Sequence, residues 1–77
     1  MNLSEAIKKR VLELVEGSRS TLTSLCLNSQ ITPSTMFDFM NGKSKHLSIG
    51  TIHKLCMGSN LTLKQFFSRD YFNSIED

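Results

Sequence analysis

Ser34, Phe37 and Asp38 bring a hydroxyl, an aromatic ring and a carboxylate within five residues of one another, with Pro33 immediately before them. Beyond Asn41-Gly42 come Lys43, Lys45 and His46, groups that carry or can take up positive charge. This set suits non-covalent recognition. A hydroxyl donates or accepts, a carboxylate accepts from the exocyclic amine of cytosine or adenine, and a ring packs on thymine methyls. The cations suit phosphate oxygens, and Thr21, Thr32, Thr35 and Asn41 add hydroxyl and amide groups of the kind that also bind phosphate. Bond-making chemistry finds little material. There is no Gly-rich phosphate loop, no H-E-x-x-H and no nucleophile elbow, and a small helical domain lacks room for a deep ligand or cofactor pocket. The chain is expected to be non-enzymatic and free of cofactors.

Two cysteines and two histidines are enough donors for one zinc ion, and His53-x-x-Cys56 can share a helical face. Cys26 and Cys56, however, fall on apolar stripes where a small buried hydrophobe suffices. His46 belongs to the basic loop and His53 reads as exposed. No metal site and no disulfide are expected, and the thiols should be reduced, as in the cytoplasm.

The recognition residues need elements to hold them. Leu22, Leu25 and Cys26 follow i, i+3, i+4 spacing, as do Met36, Phe39 and Met40, so two short helices each have one face to bury. Thr32 is a good N-cap and Pro33 fits the first helical position. Asn41-Gly42 stops that second helix, since glycine takes the left-handed conformation without a Cβ penalty. Two helices joined by a tight turn and followed by a basic loop form a helix-turn-helix. In that motif the second helix enters the major groove of double-stranded DNA. On this geometry Pro33, Ser34, Phe37 and Asp38 read bases. Thr21, Thr32, Thr35, Asn41, Lys43, Lys45 and His46 contact phosphate, helped by the free N–H groups that start the motif's first helix. Structural roles stay open for several of these: Thr21 and Thr32 as caps, Asn41-Gly42 as a terminator, Phe37 as a core or partner contact.

The flanking segments read as helices too. Leu3, Ile7, Val11, Leu14 and Val15 form one stripe from about Ser4 to Glu16, with Gly17-Ser18 as the stop. Ser48 caps a fourth helix burying Ile49, Ile52, Leu55 and Cys56, and Asn60 is the left-handed residue after it. Thr62 and Gln65 have capping-box spacing and open a fifth helix with Leu63, Phe66 and Phe67 as its apolar residues. The expected fold is all-α, a compact five-helix repressor-like domain.

Ile31-Thr32-x-Ser34-Thr35-Met36-x-x-Phe39-x-Asn41-Gly42-Lys43 resembles the Cro-type phage-repressor family of helix-turn-helix regulators, also called the XRE family. A second stretch, Ser48 to Phe67, is similar to that family's fourth and fifth helices. The resemblance spans about Ile7 to Phe67 and implies a sequence-specific DNA-binding transcriptional regulator of the repressor type. Two departures stand out. Many members have glycine in the motif turn where this chain has Gln30, at a cost of about 1 kcal/mol if φ is positive. Many also bury an Arg against a Glu at the positions of Val15 and Met40. Here both are apolar, a joint change that packing tolerates, and the two side chains are expected to meet.

Composition bounds the rest. At 77 residues and 39% hydrophobic, the chain is one small domain that can bury only about 60% of its unfolded surface. Nothing approaches the roughly 18 apolar residues of a membrane span, so a cytoplasmic protein with no membrane partner is expected. Residues 1 to 69 hold nine Lys/Arg against four Asp/Glu, a formal +5, and Asp70, Glu76 and Asp77 lie in the tail. The run Lys8-Lys9-Arg10 reads as a solvated helix face, and no internal repeat is evident. The division is a domain over 1–69 and a short C-terminal tail over 70–77. Phe66, Phe67, Tyr71, Phe72 and Ile75 cluster in too short a stretch to bury them all, which points to a homodimer interface. The rival reading is a protein-binding module of the same fold, antitoxin-like or an adaptor.

Overall fold

The structure, a computed structural model, describes residues 1–76. Five α-helices account for most of it: α1 (Leu3–Ser18), α2 (Leu22–Asn28), α3 (Pro33–Met40), α4 (Ile49–Gly58) and α5 (Leu63–Phe66). A 3-10 turn over Asp70–Ser74 follows. No strand occurs among the described residues. The all-α expectation holds, because each helix has an apolar stripe that only another helix covers.

Local signals set most boundaries. The hydroxyl oxygens of Thr21, Ser48 and Thr62 accept from the backbone N–H of Ser24, Thr51 and Gln65, and Thr62 and Gln65 complete a capping box. α1 departs from expectation at both ends. It starts at Leu3, capped by Asn2 through a capping box with Glu5, and runs past Gly17 to Ser18. Its stop is Arg19 in the left-handed conformation (φ 54°). Gln30 and Asn60 share that conformation, both at φ 57°, and Gly42 lies at φ 85°. These four residues end α1, α2, α4 and α3. In each case the next residue's N–H reaches back to a carbonyl of the helix, as Lys43 does to Asp38 at 2.9 Å and Ile31 to Cys26 at 2.9 Å.

Ile7, Val11, Leu25, Cys26, Ile31, Met36, Phe39, Leu47, Ile52, Leu55, Cys56 and Phe66 form one buried cluster. Val15 and Met40 are half-buried and pack against that same cluster. Leu3, Ile49 and Leu63, expected inside, are instead exposed, Ile49 at 62% and the other two at 40% and 38%. Each is the first residue of its helix. Ala6 takes a fully buried place in α1 instead.

Arg10 corrects the reading of the basic run. It is 4% exposed, while Lys9 beside it is exposed and Lys8 is half-buried. Its guanidinium donates to the carbonyls of Phe66 (2.7 Å) and Gln65 (3.2 Å) and to Glu13 Oε1 (3.3 Å). The last carbonyls of a helix have no partner within it, so Arg10 caps α5 from α1 and its own charge is met by Glu13.

A repeat also emerges. At an offset of 30, Leu25, Cys26, Ser29 and Thr32 match Leu55, Cys56, Ser59 and Thr62 in type. The backbones match as well: Ile31 N–H donates to Cys26 and Leu61 N–H to Cys56, at 2.9 and 2.8 Å. The α2–α3 and α4–α5 connections are therefore a repeated turn, although α5 has 4 residues where α3 has 8. They meet closely where a Cβ on Gly58 would lie 2.9 Å from Ser29 Cα. Both repeat serines bury their hydroxyls there without a hydrogen-bond partner.

Candidate nucleic-acid interface

α3 is pinned from beneath by Met36 and Phe39, both fully buried. That leaves Ser34, Thr35, Phe37 and Asp38 exposed on the other side, with Pro33 half-buried at its start. Phe37 is 39% exposed, a large ring left partly in water. Asp38 keeps its carboxylate outward while its carbonyl accepts from the N–H groups of Lys43 and Ser44, at 2.9 and 3.1 Å. The residue offered as a reader is thus also the backbone anchor of the basic loop.

Lys43, Lys45 and His46 are all exposed on that loop. Ser44 Oγ donates to the carbonyl of His46 at 3.2 Å, and Ser4 Oγ of α1 donates to the carbonyl of Lys45. The loop is held at both levels, and Leu47 is buried just beyond it. Between the loop and the start of α1 runs an open groove of about 580 Å³, lined in part by Glu5 and Lys8 of α1 and by Lys45 and His46 of the loop. Lys8 Nζ also stands 5.5 Å from the centre of the Phe39 ring, so a cation flanks the root of α3.

The threonines divide in role. Thr21 Oγ1 is committed to capping α2, accepting from Ser24 N–H at 3.1 Å, and so takes one of the N–H groups expected to serve as an anion site. Thr32 occupies the N-cap position of α3 but makes no side-chain capping bond, which leaves its hydroxyl available to a ligand. Asn41 is the helix C-cap and is exposed.

The structure brings together on α3 and its following loop the residues from Thr32 to His46 named as readers and clamps. Thr21 is on a different element, as the N-cap of α2. Along the chain from Ser20 to Gly42 the one charged residue is Asp38.

The cysteines sit elsewhere. Cys26 and Cys56 are free and fully buried at matching positions of the repeat. Burial pushes both thiols up from their ordinary value, with the Arg10 charge partly opposing this at Cys56. His53 is exposed while Cys56 is buried, so the pair does not share an accessible face. Among the described residues no group of three or more His, Cys, Asp or Glu is placed to hold a metal ion, and no helix is long and apolar enough to cross a membrane.

The aromatic cluster expected at a dimer interface is largely used within the chain. Phe66 is fully buried, and Phe67, Tyr71, Phe72 and Ile75 are half-buried. Phe67 meets Phe66 and Phe72 edge-on, with centroids 4.9 and 5.0 Å apart. The surplus aromatic surface is smaller than composition suggested, because the tail folds back on α1. Of that tail, Asp77 lies outside the described residues.

Set against protein-family models, curated proteins and solved structures, the chain matches none.

Proposed function

We propose that this chain is a sequence-specific double-stranded DNA-binding regulator of the repressor type, acting in the cytoplasm as a homodimer, with α3 in the major groove. The observation that carries this is the exposed set Ser34, Phe37 and Asp38 on a helix locked by Met36 and Phe39, with Lys43 and Lys45 following it. Groups able to read base edges precede groups able to hold phosphate, the order a helix-turn-helix requires. Resemblance to the Cro-type family adds support.

One observation favours a second reading, a protein-binding module. An α3 surface whose one charge is Asp38, with Phe37 exposed beside it, suits an apolar partner. Selection of bound sequences from random duplex DNA, followed by a salt titration on the recovered site, separates the two. With two lysine clamps per protomer, affinity should fall by about 1.8 log units per log unit of salt for each protomer. Recovery of no sequence preference would end the DNA reading.

A further inference from the structure

The groove between the start of α1 and the loop after α3 gathers basic groups from two elements, Lys8 from the helix and Lys45 and His46 from the loop. Ser4 Oγ donates to the carbonyl of Lys45, which joins the first turn of α1 to the loop. The loop in turn hangs from the carbonyl of Asp38 through the N–H groups of Lys43 and Ser44, so the groove is tied to α3. Lys8 is half-buried, and its Nζ stands 5.5 Å from the centre of the fully buried Phe39 ring. A covered stem and the attraction of the ring restrict the ammonium before any ligand arrives, so less side-chain freedom is lost on contact. Among the described residues no ion pair neutralises it: the two pairs are Arg10–Glu13 and Arg69–Glu13. Glu5, one turn earlier in α1, accepts from Asn2 N–H at 2.9 Å in the capping box. A positioned ammonium with no carboxylate partner, beside a second lysine, suits an anionic oxygen.

We propose that Lys8 is a further phosphate clamp, holding a backbone phosphate of the duplex in the groove it shares with Lys45. The inference rests on the DNA-binding reading and extends the contact surface from α3 and its loop to α1. Phosphate contacts fix how a protein sits on the duplex and carry no sequence information of their own. Lys8 therefore sets the seating of α3 and not its base preference. Each phosphate neutralised adds about 0.9 log units of affinity lost per log unit of salt. Lys8 with Lys43 and Lys45 then gives about 2.7 for each protomer, against about 1.8 for the loop lysines alone.

The test uses the full chain and the duplex recovered by selection. Lys8→Met and Lys8→Gln both keep a stem against Phe39 and remove the charge. With helical circular dichroism unchanged, each should lower the slope to about 1.8 and weaken binding about tenfold per protomer at about 0.1 M salt, with base preference unaltered. Lys8→Arg should keep the original slope. Lys9→Met deletes an equal charge outside the groove, where Lys9 Nζ stands 4.7 Å from the centre of the Tyr71 ring, and should leave the slope near its original value. Duplexes that each carry one uncharged methylphosphonate locate the contact. At one position the replacement should weaken the unsubstituted chain about tenfold and leave Lys8→Met unaffected. Unchanged slope and affinity in the Met and Gln variants, an equal effect of Lys9→Met, or a Lys8→Met protein that keeps the full methylphosphonate response at every position would each overturn the clamp, while the recovered site leaves the DNA reading standing. A chain that binds no duplex at any salt would overturn both.

Discussion

Tyr71 donates a 2.8 Å hydrogen bond to Glu13 Oε1 across 58 positions of sequence, and the same oxygen receives Arg69 and Arg10. One carboxylate thus ties the C-terminal segment, the end of α5 and α1 together. Burial pushes the Glu13 carboxyl up, but the hydrogen bonds from Tyr71 and Arg69 and the charges of Arg69 and Arg10 outweigh it, and the net position is below 4.5. Burial, then the hydrogen bond and charge of Glu13, push the Tyr71 phenol up to about 12.

These shifts set two pH limits on the segment. Glu13 is held lower in the folded state, so its stabilisation is complete above about 4.5 and is lost as pH falls through its folded value. Tyr71 is held higher, so its stabilisation is complete below about 10 and is lost as pH rises toward about 12. Tyr71 is the chain's one tyrosine, so ultraviolet phenolate absorbance follows it alone. The ring-proton magnetic resonances of Phe67 and Phe72, which do not exchange with water, should shift as the phenolate appears and the segment loosens. Tyr71→Phe should remove that alkaline change; an unchanged response would mean another group controls the segment.

Gly50 and Gly58 should respond oppositely to alanine. A helical Gly→Ala change ordinarily stabilises by up to about 1 kcal/mol. At Gly50 the new Cβ meets only Ser48 Oγ, at 3.9 Å, so that gain should appear in urea unfolding. At Gly58 it would lie 2.9 Å from Ser29 Cα and Cβ, and separating α2 from α4 should cost about 1 to 3 kcal/mol. Equal gains at both sites would refute the close approach of the two repeated turns.

Gln30 is a further site of strain. A non-glycine residue at φ 57° carries about 1 kcal/mol of steric cost. Gln30→Gly should therefore stabilise by up to about that amount, while Gln30→Val, β-branched, should destabilise by more. Thermal unfolding of the three proteins should order them Gly, Gln, Val.

The motif was legible in the sequence because its signals are local. Thr32-Pro33 and Asn41-Gly42 bracket α3 by their own backbone preferences, and Thr62 with Gln65 opens α5 in the same way. Arg10 was not legible, since its partners are carbonyls 55 and 56 positions away and nothing in Lys8-Lys9-Arg10 distinguishes a buried cation from a solvated one. Arg19 ends α1 for the same kind of reason: a left-handed arginine is locally disfavoured and follows from where α2 must begin. The repeat is different. Leu-Cys-x-x-Ser-x-x-Thr is present twice in the chain, and a comparison at fixed offset would have found it. For the candidate interface, residue types identified possible readers, but which hydroxyls are free depended on capping, as Thr21 and Thr32 illustrate.

The division of the α3 face into readers and clamps is the most direct test of function. Asp38→Ala and Ser34→Ala remove groups able to touch base edges, and each should change discrimination at one half-site position by about 1 to 3 kcal/mol. Lys43→Ala removes a phosphate contact, so affinity should fall nearly uniformly across sequences and the salt slope should shrink by about one. Asp38 also anchors the loop, but through its carbonyl, which alanine retains, so a loss of preference there reports the carboxylate and not the loop. Ser34 makes no capping bond in α3, and circular dichroism of Ser34→Ala should match that of the unsubstituted chain. Measured on the duplex recovered by selection, unchanged affinity, preference and salt slope in all three folded variants would place the binding surface elsewhere on the domain.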